Sequence, residues 1–298
     1  MNLPRSLPQA LELVNLDDKK FVVMLGDIGI LKKGPFICEK CHHVMSLSKD
    51  TTTSDNVSWR CPNKKCRRSF SVRKDSVFSE VRYPLKVCFK IYLYWCVDFP
   101  ISDIGTLLDI KNTHPIQELA RKFRSIAIQK YQLDLQNNPL GGPNTVQMDE
   151  SAFGQAKYHK GRALKSNCEW VIGAFEENTK RVAVCQIPDR TMATIDPFVA
   201  DSIQPGSKVY TDEWRSYNNL SRNGYIHNTV NHSTNFVNVL PTGEKVTTNL
   251  AEGNWTPLKK YRFKHNAHHR KYTDEYVKMW GYRRNLVHSF QDEFSTII

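Results

Sequence analysis

The sequence predicts a multidomain α/β protein in which a cysteine-paired ribbon and a helical segment precede a mixed sheet with flanking helices. Three observations carry this. Two close cysteine pairs, Cys38/Cys41 and Cys61/Cys66, fall within one short stretch. Apolar residues then recur at helical spacing between Pro84 and Ala127. Beyond residue 144 the periodicity shortens to that of strands, with helical stretches between them and a final helix. The expected segments are an N-terminal helical segment over 1–34, a ribbon over 35–80, a helical domain over 81–137 and an α/β domain over 144–298.

At 298 residues the chain is long enough for two or three genuine cores, and its 40% hydrophobic content excludes a disordered chain. The net charge of +12 favours a polyanionic partner, nucleic acid ahead of an anionic membrane, although charge alone also fits a merely soluble basic protein. Met1-Asn-Leu-Pro-Arg5 lacks the apolar core of a signal peptide. The run from Phe21 to Leu31 is broken by Asp27 and too short to cross a bilayer. With no secretory context, the eight cysteines point to metal binding before disulfides.

Taken in order, Leu11, Leu13, Val14 and the run Phe21-Val-Val-Met-Leu25 suggest one or two short helices. Cys38-Glu-Lys-Cys41 and Cys61-Pro-Asn-Lys-Lys-Cys66 follow, separated by 19 residues. Each close pair can turn two thiolates toward one ion, so two pairs complete a tetrahedral zinc site. The second spacing is wider than usual, which leaves His42 or His43 as a substitute ligand. Ser58-Trp-Arg60 and Ser69-Phe-Ser-Val-Arg73 read as ribbon strands. So small a segment buries little, and the metal would supply most of its folding energy. Lys64, Lys65, Arg67, Arg68, Arg73 and Lys74 fit a phosphate-facing surface or a solvated face. Cys88, Cys96, Cys168 and Cys185 sit in apolar or strand-like surroundings and read as buried free thiols.

Leu85, Cys88, Tyr92, Trp95, Cys96 and Phe99 mark a helix that Pro100 ends, and Ser102 begins a short second one through Leu108. A third starts near Thr113 with Pro115 in its first turn. Its apolar face is Ile116, Leu119, Ala120, Phe123 and Ala127, and the opposite face carries Gln117, Arg121 and Arg124 with Lys122 alongside. Such a unit is helix-turn-helix-like, its last helix suited to the DNA major groove, with a generic three-helix bundle as the alternative.

Strands are expected at Val146–Met148, Trp170–Phe175, Arg181–Ile187, Lys208–Thr211 and Tyr225–Val230, with a hairpin turn at Glu176-Glu-Asn-Thr-Lys180 and a helix from Ala193 to Ser202. Asp149 ends the first strand, Asp212 follows the fourth, and Glu252 lies in Thr248-Asn-Leu-Ala-Glu-Gly-Asn-Trp255. Carboxylates on apolar strands are costly without a cation, and three of them could hold divalent metal for phosphoryl chemistry. Each also has a plain structural explanation. Asp149 or its neighbour Glu150 could be an ordinary strand-end acid, and Asp212 could cap the next helix. Asn249-Leu-Ala-Glu252 reads as a capping box, with Asn249 a possible substitute ligand. Pro257 predicts a kink or a helix restarting at Thr256. The basic loop residues Lys157, His159, Lys160 and Arg162, and the run Lys259, Lys260, Tyr261, Arg262, Phe263 and Lys264, suit a DNA backbone and unpaired ends. His265, His268 and His269 read as DNA-facing or solvated, and Thr273 to Phe290 as a terminal helix packing through Tyr276, Met279, Trp280 and Leu286.

An ordered set of motifs extends beyond the acids: Asp149-Glu-Ser-Ala-Phe-Gly154, Tyr158-His-Lys-Gly-Arg162, Pro188-Asp-Arg190, Pro205-Gly-Ser207, Thr211-Asp-Glu-Trp214 with Tyr217, Val230-Asn-His-Ser233 with Phe236-Val237, and Thr248 to Trp255 with Leu258-Lys259. This set resembles the DDE transposases of the Merlin superfamily and their bacterial insertion-sequence relatives, over about residues 36 to 285. The resemblance implies a ribonuclease H-like catalytic domain behind a zinc ribbon and a helical DNA-binding domain. It implies that Asp149, Asp212 and Glu252 hold two Mg²⁺ or Mn²⁺ ions, that water cuts the transposon end, and that the freed 3′-hydroxyl attacks target DNA. The implied partners are terminal inverted-repeat DNA, target DNA and a second copy of the chain, with neither a membrane nor a small-molecule substrate. The implied location is the nucleus of a eukaryote, or otherwise the cytoplasm and nucleoid. Two rival readings remain at this point, a domesticated relative that binds DNA without cutting it and a zinc-ribbon regulator.

Overall fold

The computed structural model describes residues 3–153, 168–231, 237–266 and 270–298. In chain order its elements begin with helices α1 (Leu7–Glu12) and α2 (Asp18–Asp27) and strands β1 (Ser46–Lys49), β2 (Val57–Arg60) and β3 (Ser69–Ser71). Helices α3 (Leu85–Cys96), α4 (Ile101–Leu107) and α5 (His114–Asn137) come next, then strands β4 (Val146–Phe153), β5 (Glu169–Glu176) and β6 (Val182–Ile187). They are followed by α6 (Met192–Ser202), β7 (Lys208–Asp212), β8 (Ile226–Val230), a small β9 (Asn238–Val239) and β10 (Lys245–Val246), then α7 (Asn249–Lys264), α8 (Thr273–Leu286) and α9 (Phe290–Phe294). The chain divides into two compact units, Met1–Ala127 together with Val287–Ile298, and Ile128–Leu286. None of the described helices is long and apolar enough to cross a membrane.

In the first unit β1, β2 and β3 form an antiparallel sheet in that order. Its helices meet through buried aromatic rings, with Tyr92 and Phe123 4.9 Å apart and Phe21 and Phe89 5.5 Å apart. The Tyr92 hydroxyl donates to the Phe294 carbonyl at 2.6 Å, which fastens α9 against α3. Along α5 the expected apolar face is fully buried. Arg124 departs from expectation, since it is buried rather than presented on the outer face. At helical spacing it neighbours Ala120, four residues before it, and Ala127, three after it, and so borders the packed side.

Arg73 is a second correction, because its guanidinium is buried and faces no solvent phosphate. It forks onto both Asp55 oxygens, with Nε at 2.6 Å, and donates to the carbonyls of Val81 and Tyr83 at 2.7 and 2.6 Å. Asp55 in turn accepts from the backbone N–H of Leu85 at 2.7 Å, satisfying one of the open donors at the start of α3. One ion pair thus joins the ribbon to the helical segment.

In the second unit the five-stranded sheet runs β6-β5-β4-β7-β8. Antiparallel pairing joins β6 to β5 and β5 to β4, and parallel pairing joins β4 to β7 and β7 to β8. One face packs Phe153, Val171, Phe175, Val182 and Val184 against α7 and α8 through Ala251, Trp255, Leu258, Val277 and Trp280. The edge strand β6 is sealed by side chains. Asn285 bonds both backbone groups of Val182, Tyr131 accepts from Val184, and Asp274 accepts from Gln186. With three outward N–H groups and the Val182 carbonyl taken, that edge is a poorer template for another strand.

Replacing Arg73 by Met should strand Asp55 as an uncompensated buried charge and lower stability by about 3–5 kcal/mol, with much of the loss recovered in Arg73→Met/Asp55→Asn. Urea unfolding followed by tryptophan fluorescence measures both.

Candidate active site and metal centre

Asp149 lies within β4, not at its end, since the strand continues to Phe153 with every residue from Val146 onward opposite one in β5. The other side of β4 behaves differently. Its parallel ladder with β7 includes only Val146↔Val209 and Gln147↔Tyr210. Continuing that register two residues sets Asp149 level with Asp212, the last residue of β7, and registered neighbours point to one face. The two acids therefore lie just beyond the end of the β4–β7 ladder, near enough for the Asp212 charge to act on Asp149.

Helix α7 is mounted over this face by three consecutive inward residues of β4. Gln147 Oε1 accepts from the N–H of Leu250 at 2.9 Å and of Ala251 at 3.4 Å. Asp149 Oδ2 accepts from the Trp255 indole at 2.7 Å. Ser151 Oγ accepts from Lys259 Nζ, also at 2.7 Å. Gly173 is the β5 residue opposite Asp149. A Cβ there would come within 2.5 Å of the Phe175 ring and 3.0 Å of the Trp255 ring, so its missing side chain makes room for the indole. Glu252 is exposed in the first turn of α7, three residues before Trp255 and hence its neighbour on the helix surface. The N-cap is Thr248, so Asn249 is the first helical residue and the expected capping box does not form. Pro257 lies inside an uninterrupted α7, and the helix does not restart there.

Burial pushes the Asp149 carboxyl up to about 6, and the charges of Glu150 and Asp212 add to this against the pull of the Trp255 and Glu150 N–H groups. Asp212 Oδ1 accepts from the Trp214 N–H at 3.0 Å. Two crowded, half-buried carboxylates are the donor set that a divalent cation fits. Glu150 is excluded from that role, because its side chain points to the opposite face and is buried against Tyr217 and Arg190. Among the described residues, the acids are not gathered into a ligand cluster as tight as that of the cysteines.

That second cluster is Cys38, Cys41, Cys61 and Cys66, whose sulfurs all lie within 4.8 Å of one another. Tetrahedral Zn–S bonds of 2.3 Å imply an S···S edge of about 3.8 Å. Cys38 and Cys66 are 3.6 Å apart, and Cys41 and Cys61 3.3 Å. The backbone N–H two residues beyond each cysteine, on Lys40, His43, Asn63 and Arg68, favours its thiolate. That of His43 brings Cys41 down to about 6, whereas burial pushes Cys61 up to about 12. After the second cysteine of each pair the chain turns left-handed, at His42 (φ 57°) and Arg67 (φ 53°). Both knuckles therefore share one geometry despite their different spacing. His43 bonds the Cys41 carbonyl through Nδ1, so four sulfurs form the set without a histidine.

The basic residues sort less uniformly. Gln117 and Arg121 are exposed on α5, with Arg121 paired to Glu118 at 2.7 Å. Lys260 and Lys264 are exposed on α7, while Arg262 is half-buried and pairs with the buried Glu169 at 3.1 Å. Lys157, His159, Lys160, Arg162, His268 and His269 lie outside the described residues. Gln147, Ser151, Trp255, Arg190 and Tyr217 carry the supporting contacts. All but Gln147 belong to the ordered sequence motifs, although nothing local assigns them a role.

A family model described as an ISXO2-like transposase domain matches residues 139–285. An "Uncharacterized transposase-like protein" of Haemophilus influenzae is 30% identical over 106 residues, covering 35% of this chain and 81% of that protein. Among solved structures, the catalytic core domain of BIV integrase aligns with a TM-score of 0.33 at 15% identity, covering 48% of this chain and 82% of that one. A chain of the simian T-cell lymphotropic virus intasome in complex with PP2A regulatory subunit B56 gamma aligns with a TM-score of 0.32 at 14% identity, covering 64% and 67% respectively.

The purified protein should carry about one equivalent of zinc per chain by atomic emission, falling below stoichiometry in Cys61→Ala. Replacing Asp212 by Asn removes a charge that repels Asp149 while keeping an oxygen for the Trp214 N–H. In the absence of added divalent cation, that variant should gain about 1 kcal/mol, or ~3 °C in thermal midpoint by differential scanning fluorimetry.

Proposed function

The chain belongs to a transposase family, and on that premise we propose that it is a DDE transposase that cleaves transposon ends and joins their 3′-hydroxyls to target DNA. The observation that carries this reading is the level placement of Asp149 and Asp212 on one face, under a helix that also bears Glu252. In the proposed site these three carboxylates hold two Mg²⁺ or Mn²⁺ ions. Bound about 4 Å apart, such a pair activates the attacking oxygen and stabilises the leaving one in an in-line displacement. Trp255 fixes the Asp149 carboxylate through its indole N–H. Lys259 brings a positive charge to the same face, where it meets the DNA backbone.

The four cysteines hold one structural zinc, and α5 presents Gln117 and Arg121 to duplex DNA. The Merlin superfamily is the assignment that the ordered motifs favour. Because two ends must be joined in one event, the working form is a homodimer on paired inverted repeats.

The test uses an end-labelled duplex carrying the terminal repeat that flanks the reading frame, incubated with Mg²⁺ or Mn²⁺. Wild-type protein should nick it, whereas Asp149→Ala and Asp212→Ala should lose cleavage by at least ~1,000-fold, about 4 kcal/mol of barrier, while retaining binding in a mobility-shift assay. Cleavage by both variants at the wild-type rate would end the assignment.

A further inference from the structure

Behind the acids, on the opposite face of β4, lies a cluster that the proposed chemistry does not use. The Glu150 carboxylate accepts from the Tyr217 hydroxyl at 2.5 Å through one oxygen, and from Arg190 Nη2 and Nε at 2.9 and 3.2 Å through the other. The Arg190 guanidinium lies between two indoles, 4.6 Å from the Trp170 ring centre and 4.2 Å from that of Trp214. The Arg190 carbonyl accepts from Ser216 Oγ at 2.6 Å and from the Trp214 indole at 3.4 Å. Four chain segments therefore meet here: β4 beside Asp149, β5 at Trp170, the loop before α6, and the turn after Asp212.

The location of this cluster gives it a specific consequence. The β4–β7 ladder ends at Gln147↔Tyr210, two residues short of both acids, so backbone hydrogen bonds do not fix the gap between them. Glu150 adjoins Asp149 and gives its N–H to Asp149 Oδ1 at 2.8 Å. Trp214 gives its N–H to Asp212 Oδ1 at 3.0 Å. A clamp that holds Glu150 and Trp214 on one guanidinium thus holds the two acids at one separation.

We propose that Glu150, Arg190, Tyr217 and Trp214 are positioning residues that set the gap between Asp149 and Asp212, and so select small divalent cations of Mg²⁺ size at that site. The inference rests on the reading of those two acids as cation ligands. Mg²⁺ demands near-ideal geometry at 2.0–2.1 Å, whereas Ca²⁺ accepts looser sets at 2.3–2.6 Å. Loosening the clamp should therefore penalise Mg²⁺ selectively.

The experiment uses the full chain and Tb³⁺ as the probe, with luminescence sensitised by the adjacent Trp255 indole and displaced by titration with Mg²⁺ or Ca²⁺. Tyr217→Phe removes one hydroxyl, and Arg190→Lys keeps the charge but loses the fork and the stack. Both should bind Mg²⁺ about 10-fold or more weakly while Ca²⁺ displacement stays within about 3-fold. Unchanged affinity for both ions, or an equal fall for both, would overturn the clamp. Asp149→Ala serves as the control and should lose the displaceable signal. If it keeps that signal, the reading of the acids as cation ligands fails, and the fault lies there and not with the clamp.

Discussion

The candidate site depends on a match of spacing between one strand and one helix. Inward residues of β4 recur every second position, about 6.8 Å apart, and α7 offers a residue on one side every fourth position, about 6.0 Å apart. Gln147, Asp149 and Ser151 accordingly meet the backbone at Ala251 and the side chains of Trp255 and Lys259 in step. The small mismatch accumulates toward Lys259, the longest and most adaptable of the three partners. An acid carried by a helix is thereby held in fixed relation to acids carried by a sheet. The apolar contacts of Trp255 and Leu258 beneath supply the burial that keeps the helix down.

The same face shows why such a site is held from several sides. A half-buried carboxylate next to two others is unfavourable by itself, and the upward shift of Asp149 registers this. The surrounding elements must keep that arrangement from relaxing. Helix α7 does so from the front, and the Arg190 stack from behind.

Much of this was legible in the sequence where the determinants are local. Helical spacing gave the buried face of α5, and the cysteine spacing gave the four sulfurs of the first unit. Asp149 does not end its strand, because the extent of β4 is decided by pairing with β5 across an intervening stretch that no short window contains. The arginines failed for a related reason. A row of basic residues looks the same whether its members face water or a buried acid. Arg73 finds Asp55 18 positions away and Arg262 finds Glu169 93 positions away, so their partners are invisible to composition. Thr248 displaced Asn249 as the N-cap even though Asn249-Leu-Ala-Glu252 fits the capping pattern, because Gln147 already supplies an acceptor to the first turn.

The return of residues past Val287 to the first unit bears on how the protein is made. During translation the segment that docks on Tyr92 leaves the ribosome only after the whole mixed sheet has emerged. The aromatic core of the earlier-made part is therefore completed only after every strand of the sheet has been made. Until then, Phe89 and Tyr92 lack the Phe294 ring that packs on both of them.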